Sequence, residues 1–163
     1  MFKKTIEYVD LEGNYTTAEA EFHVNPREIE MLNGKMHGGQ PLLMSIMDNL
    51  DHLNEAVKNE RADEDTIVRM FRLVDDVARI SYGQRVSKID RVTGNTVDTF
   101  VRNDEATELF LQTEAWHALS FELVNDSDKL MEFFNKVLPQ RTLDLINEAA
   151  KKVAEQNAEI TEN

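Results

Sequence analysis

The spacing of apolar residues in this chain changes near residue 25, and that change limits the fold more than any other feature. Before it, apolar side chains fall on every second residue, the period of a half-buried strand. After it they mostly recur every three to four residues, the period of an amphipathic helix. Ile6 and Tyr8 share one face of a first strand, and Ala18, Ala20, Phe22 and Val24 share one face of a second. Glu12-Gly13-Asn14 between them is a turn signal, so residues 1–24 are expected to form a β-hairpin. Two strands alone are marginal in water, so this hairpin must pack on a helix or pair with another chain.

Asn25-Pro26-Arg27-Glu28 then announces a helix: Asn25 as cap, Pro26 at the first helical position, Glu28 where a capping box wants an acid. Asn33-Gly34 ends it, and Gly38-Gly39-Gln40-Pro41 reads as a flexible connector. From Leu42 a second helix carries Leu43, Met47, Leu50, Leu53 and Val57 on one face. In the next, Ile67, Met70, Phe71, Leu73, Val74, Val77, Ala78 and Ile80 fill an apolar arc opposite Arg69, Arg72, Asp76 and Arg79. Tyr82-Gly83 closes that helix. Over 85–101, Val97, Thr99 and Val101 alternate beside a Thr93-Gly94-Asn95 turn, which suits a second hairpin or an ordered loop.

Asn103 or Asp104 caps a helix expected to run to about Val124, apolar on most of its sides. A helix of that kind is central to a core, or covers a core on one side and a partner on the other. Asn125-Asp126-Ser127-Asp128 is a turn and a new cap. Leu130, Phe133, Phe134, Val137 and Leu138 mark a short helix stopped by Pro139, and a last helix extends from about Thr142 to Ala158. The expected fold is mainly α (α+β): about five to six helices with the N-terminal hairpin and a second hairpin near 85–101. Residues 1–139 are expected to form one domain and residues 140–163 a C-terminal helical extension.

A chain of 163 residues buries roughly 70% of its unfolded surface and needs no covalent staples. It contains no cysteine, which excludes a disulfide framework, thiol catalysis and thiolate metal sites, and fits a reducing cytoplasm. The net charge of −13, from 31 acidic and 18 basic residues, repels phosphates and anionic lipid. Binding to nucleic acid or membrane is therefore not expected unless the fold gathers a local basic patch. Neither an export signal after Met1-Phe2-Lys3-Lys4 nor an apolar run of spanning length is visible.

The sequence carries no catalytic constellation that spacing reveals. His23, His37, His52 and His117 lack the spacing of a zinc site, and His52 with Glu55 suits a solvated helix face. Asp75-Asp76 and the acids from Glu105 to Glu114 read the same way. Gly38-Gly39 lacks the lysine and hydroxyl of a phosphate loop, and Ser45, Ser81, Ser87, Ser120 and Ser127 lack a nucleophile elbow. No catalytic residue, cofactor or metal is expected. What does stand out is the run from Ser81 to Leu138, where Phe110, Trp116, Phe121, Phe133 and Phe134 concentrate. Core packing explains such residues, and so does a partner-binding groove, because aromatics dominate binding hot spots.

The same run carries a family resemblance. Tyr82-Gly83-Gln84 is followed by a variable loop, then Phe110-Leu111-Gln112-Thr113-Glu114-Ala115-Trp116, then Phe121-Glu122-Leu123, and last Phe133-Phe134-Asn135-Lys136-Val137-Leu138-Pro139. The order resembles the tail assembly chaperones of siphophages of Gram-positive hosts, as does the opening Met1-Phe2-Lys3-Lys4-Thr5-Ile6-Glu7-Tyr8-Val9-Asp10. The match covers the N-terminal strands and about 78–139, and is weaker over 26–77. The chain departs from the pattern in a long 85–101 insert and in continuing beyond Pro139.

The resemblance implies a non-catalytic protein that coats and solubilises the tape measure protein until tail-tube subunits displace it. It also implies recruitment of the major tail (tube) protein, in some relatives through a longer form made by ribosomal frameshifting. The protein would act in the host cytoplasm and be absent from the mature virion. Self-association along the tape measure is expected, through the N-terminal hairpin or the C-terminal helix. The residues expected to meet a partner are Phe110, Trp116, Phe121, Phe133 and Phe134. The alternative is a structural head–tail connector or tail-terminator component of the virion.

Overall fold

The computed structural model describes residues 1–32 and 64–140, with short stretches among 33–63 and 141–163. Two compact units divide the chain: Met1–His23 with Ala78–Val137, and Val24–Val77 with Leu138–Asn163. The architecture is α+β as expected, with an N-terminal hairpin and helices making up most of the remainder.

In the first unit, β1 (Phe2–Val9) and β2 (Tyr15–Phe22) pair antiparallel with Phe2 opposite Phe22 and Ile6 opposite Ala18. That register puts Phe2, Ile6, Ala20 and Phe22, all buried, on one face. The second expected hairpin is also present, as β5 (Tyr82–Ile89) and β6 (Thr96–Val101). β2 joins β5 through the pairs Glu21–Gly83 and Phe22–Tyr82, giving one four-stranded sheet in the order β1-β2-β5-β6. Past that junction the His23 amide donates to the Ser81 carbonyl at 2.8 Å.

Both hairpin turns use the same chemistry. Asp10 accepts from the amides of Glu12 and Asn14 through its side chain, and Asp90 accepts from those of Val92 and Thr93. Gly13 and Gly94 follow at φ 86° and 72°, a region that favours glycine.

Over the buried face lie α3 (Asp104–Leu111), α4 (Glu114–Asn125) and α5 (Ser127–Val137). The long helix expected from Asn103 to Val124 is in fact two. Thr113 breaks it: its hydroxyl donates to the Phe110 carbonyl at 2.7 Å and accepts from the Trp116 amide at 3.2 Å, capping α4. This explains why the apolar residues seemed to surround one helix. Two helices with different headings each bury a stripe of their own.

In the second unit, α1 (Pro26–Leu32) starts with the expected capping box. The Asn25 amide donates to Glu28 Oε2 at 2.9 Å, and the Glu28 amide donates to Asn25 Oδ1 at 3.0 Å. A two-residue ladder, β3 (Met36–His37) with β4 (Gln40–Pro41), follows. Then comes α2 (Glu64–Ser81), whose residues from Ala78 belong to the first unit. Its Leu73, Val74 and Val77 are buried as expected. Asp76, expected on the polar arc, is buried as well; it lies three residues after Leu73 and four before Ile80, on their stripe. The helix expected from Leu42, the Gly38-Gly39 connector and most of the 142–158 helix lie outside the described residues.

Candidate functional site

Phe22 stands at the centre of the first unit, fully buried at the end of β2. Five rings surround it: Phe133 at 5.3 Å edge-on, Tyr82 at 5.8 Å, and Phe2, Phe110 and Trp116 each at 6.1 Å. Tyr82 stacks flat on Phe110, with parallel ring planes and centroids 4.1 Å apart. Burial raises the Tyr82 phenol above its ordinary value. Phe134 continues the cluster from Phe133 at 5.9 Å. The motif segments of the sequence thus converge here, from β5, α3, α4 and α5.

Of the residues expected to meet a partner, Phe110, Trp116, Phe133 and Phe134 lie inside this cluster, with Trp116 only 2% exposed. Phe121 alone among the five lies on the surface, 64% exposed on the outer face of α4. His117 precedes it by one turn, exposed and 3.6 Å from Glu114. Next to Phe121, Glu122 gathers two cations: Lys129 Nζ at 2.9 Å and Lys4 Nζ at 3.1 Å. Hydrogen bonds from Lys129 and then Lys4 hold its carboxyl below the usual carboxylate value. These pairs tie β1, α4 and α5 together. Sequence reasoning missed this triad, because Lys4, Glu122 and Lys129 share no spacing that marks them.

Gly83 has its own reason to be in the motif. A Cβ there would stand 2.6 Å from the Phe100 ring and 2.7 Å from the Val101 carbonyl oxygen. Phe100 in turn meets His23 edge-on at 5.7 Å, and Arg102 Nη1 donates to the His23 carbonyl at 2.7 Å. The base of the β5–β6 hairpin is therefore clamped to the end of β2.

Among the described residues no group of three His, Asp or Glu side chains is placed to hold a metal ion. No helix among them is long and apolar enough to cross a membrane. What the fold defines is a rigid aromatic frame that displays surface side chains. The family model of the phage tail assembly chaperones matches residues 1–163, and the chain belongs to that family. No curated protein and no solved structure matches it.

Proposed function

We propose that this chain binds and solubilises the tape measure protein and helps recruit tail-tube subunits during tail morphogenesis, without catalysis of its own. The observation that carries this reading is the family match over the whole chain. The physics supports it. A tape measure is a long helical chain with exposed apolar positions, and each Å² left in water costs about 25 cal/mol. Phe121, held out from a rigid frame, is suited to cover such positions, and many weak contacts acting together can later be displaced. The net charge of −13 would keep the coated complex soluble.

In this reading Phe121 makes the contact, while Phe110, Trp116, Phe133 and Phe134 shape the frame under it. Residues 1–139 would be the chaperone domain and 140–163 an extension to it. The protein would work in the host cytoplasm and leave before the virion is complete. Co-expression with the tail genes of the same phage tests this. The tape measure protein should be recovered soluble only when this chain is present, and the chain should be missing from finished particles. Its presence in particles, with portal or tube subunits bound, would make it a structural connector or terminator instead.

A further inference from the structure

The four-stranded sheet is joined at its centre by only two residue pairs, Glu21–Gly83 and Phe22–Tyr82. Six more residues on each strand lie in register to continue that ladder, from Ala20 opposite Gln84 to Tyr15 opposite Ile89, yet none of them pairs. The two hairpins part there. Which groups line the open edge of β5 follows from the turn of its hairpin. The Asp90 amide donates to the Asn95 carbonyl at 2.8 Å, so Asp90 turns its backbone polar groups toward β6. Successive residues of an antiparallel strand alternate in this respect. Lys88, Val86 and Gln84 therefore also bond to β6, while Ile89, Ser87 and Arg85 point their amides and carbonyls the other way. The far end of the strand gives the same phase. The Ser81 carbonyl accepts from the His23 amide, and Gly83, two residues on, faces β2 as well. Arg85, Ser87 and Ile89 thus present backbone groups with no backbone partner among the described residues.

An unpaired edge is a template for another strand. The side chains along this one are apolar and basic. Ile89 is 72% exposed and Val86 half-buried. Lys88 and Arg91 are exposed and form no ion pair among the described residues. Arg85 is held by Glu21 at 4.0 Å and by Met1 Sδ at 3.1 Å. Residues 82–102 hold four basic and two acidic side chains, a net of +2 in a chain of −13. A second β5 edge is a poor occupant, because pairing the two would gather Arg85, Lys88 and Arg91 of both chains. The cations that keep like edges apart select an acidic strand instead.

We propose that the open edge of β5 receives an extended segment of a partner protein, acidic and apolar in composition, added antiparallel as a new strand where the hairpins part. The amides and carbonyls of Arg85, Ser87 and Ile89 bond to its main chain. Its side chains are apolar opposite Val86 and Ile89 and acidic opposite Lys88 and Arg91, the pairs that stabilise neighbouring strands. This site is separate from Phe121. Phe121 lies on α4 and covers apolar positions of a helix, whereas the β5 edge reads an extended main chain. The inference stands whether or not Phe121 meets the tape measure protein.

Amide hydrogen exchange followed by NMR on the full chain tests it, with the peptide Glu-Ser-Val-Glu-Thr-Val-Thr as probe at millimolar concentration. In the free protein the amides of Gln84, Val86 and Lys88 should exchange slowly and those of Arg85, Ser87 and Ile89 fast. The peptide should slow the fast three and leave the rest of the sheet unchanged. The same peptide with lysine in place of both glutamates should slow none of them. Ser87→Pro gives up an exposed side-chain bond to Asp98 and an amide that bonds nothing in the fold. It should keep the far-UV circular dichroism spectrum and lose the peptide's protection of Arg85 and Ile89. Lys88→Glu changes an exposed charge alone and should weaken peptide binding by about fivefold. Fast amides that stay fast with peptide overturn the inference, as does equal protection by the lysine peptide. So does slow exchange at Arg85, Ser87 and Ile89 in the free protein, which would mean that the edge is already taken, by a second copy or by the chain itself.

Discussion

Gly83 shows how closely single side chains are fitted in this fold. With Phe100 Cε1 at 2.6 Å and the Val101 carbonyl oxygen at 2.7 Å from the place a Cβ would take, Gly83→Ala forces β5 and β6 apart at the base of their hairpin. Overpacking of this kind costs about 1–3 kcal/mol, and the midpoint of urea unfolding should drop accordingly. Trp116 and Phe121 lie on one helix and separate two roles. Trp116→Ala empties a fully enclosed site and should cost about 3–5 kcal/mol of stability. Phe121→Ala removes a mostly exposed ring and should leave the urea midpoint within about 0.5 kcal/mol of wild type, while pull-down of the tape measure protein falls. An equal loss of stability in both variants would place Phe121 in the core frame.

At the scale of elements, the break between α3 and α4 rests on one hydroxyl. Thr113→Ala removes the cap of α4 and should destabilise the protein by about 1 kcal/mol, read as a shift in thermal midpoint. Thr113→Ser should recover most of it. The two hairpin turns share a dependence on acid. Backbone amides donating to Asp10 and Asp90 hold both carboxyls below the ordinary aspartate value. A carboxyl depressed on folding adds stability at pH above its unfolded pKa, about 3.9, and that contribution disappears as pH falls through the folded value. Carbon-detected NMR titration should find both groups titrating below free aspartate. Asp90→Asn should reduce the steepness of stability loss below about pH 4.

Taken whole, the fold was legible wherever local chemistry decided it. Alternation through Ile6, Ala18, Ala20 and Phe22 marked the first hairpin, Asn25 and Glu28 marked the α1 cap, and Asp126 marked the start of α5, where it accepts from the amides of Asp128 and Lys129. Long-range pairing was not legible. Nothing local says that β5 joins β2, that Asp76 is covered, or that Thr113 outweighs the helical run on either side of it. The candidate site divides likewise. The aromatic motif was visible, but whether a ring points in or out depends on helix headings that only the break at Thr113 sets. Charge acts on the whole chain. At −13 the folded state repels itself, so at dilute concentration the thermal midpoint should rise as salt is added from low ionic strength.

Strands β2 and β5 are neighbours in the sheet, yet Phe22 and Tyr82 are joined by a long stretch of chain, and Phe2 meets Phe133 from almost the other end. During synthesis the first hairpin therefore leaves the ribosome without its cover. At about 5–20 residues per second it waits on the order of ten seconds before α5 follows. Through that interval Phe2, Ile6 and Phe22 are naked, and nascent chains on one polysome carry them side by side. The charges of Lys3, Glu7, Glu19 and Glu21 on the opposite face of that hairpin work against its pairing with other chains while it waits.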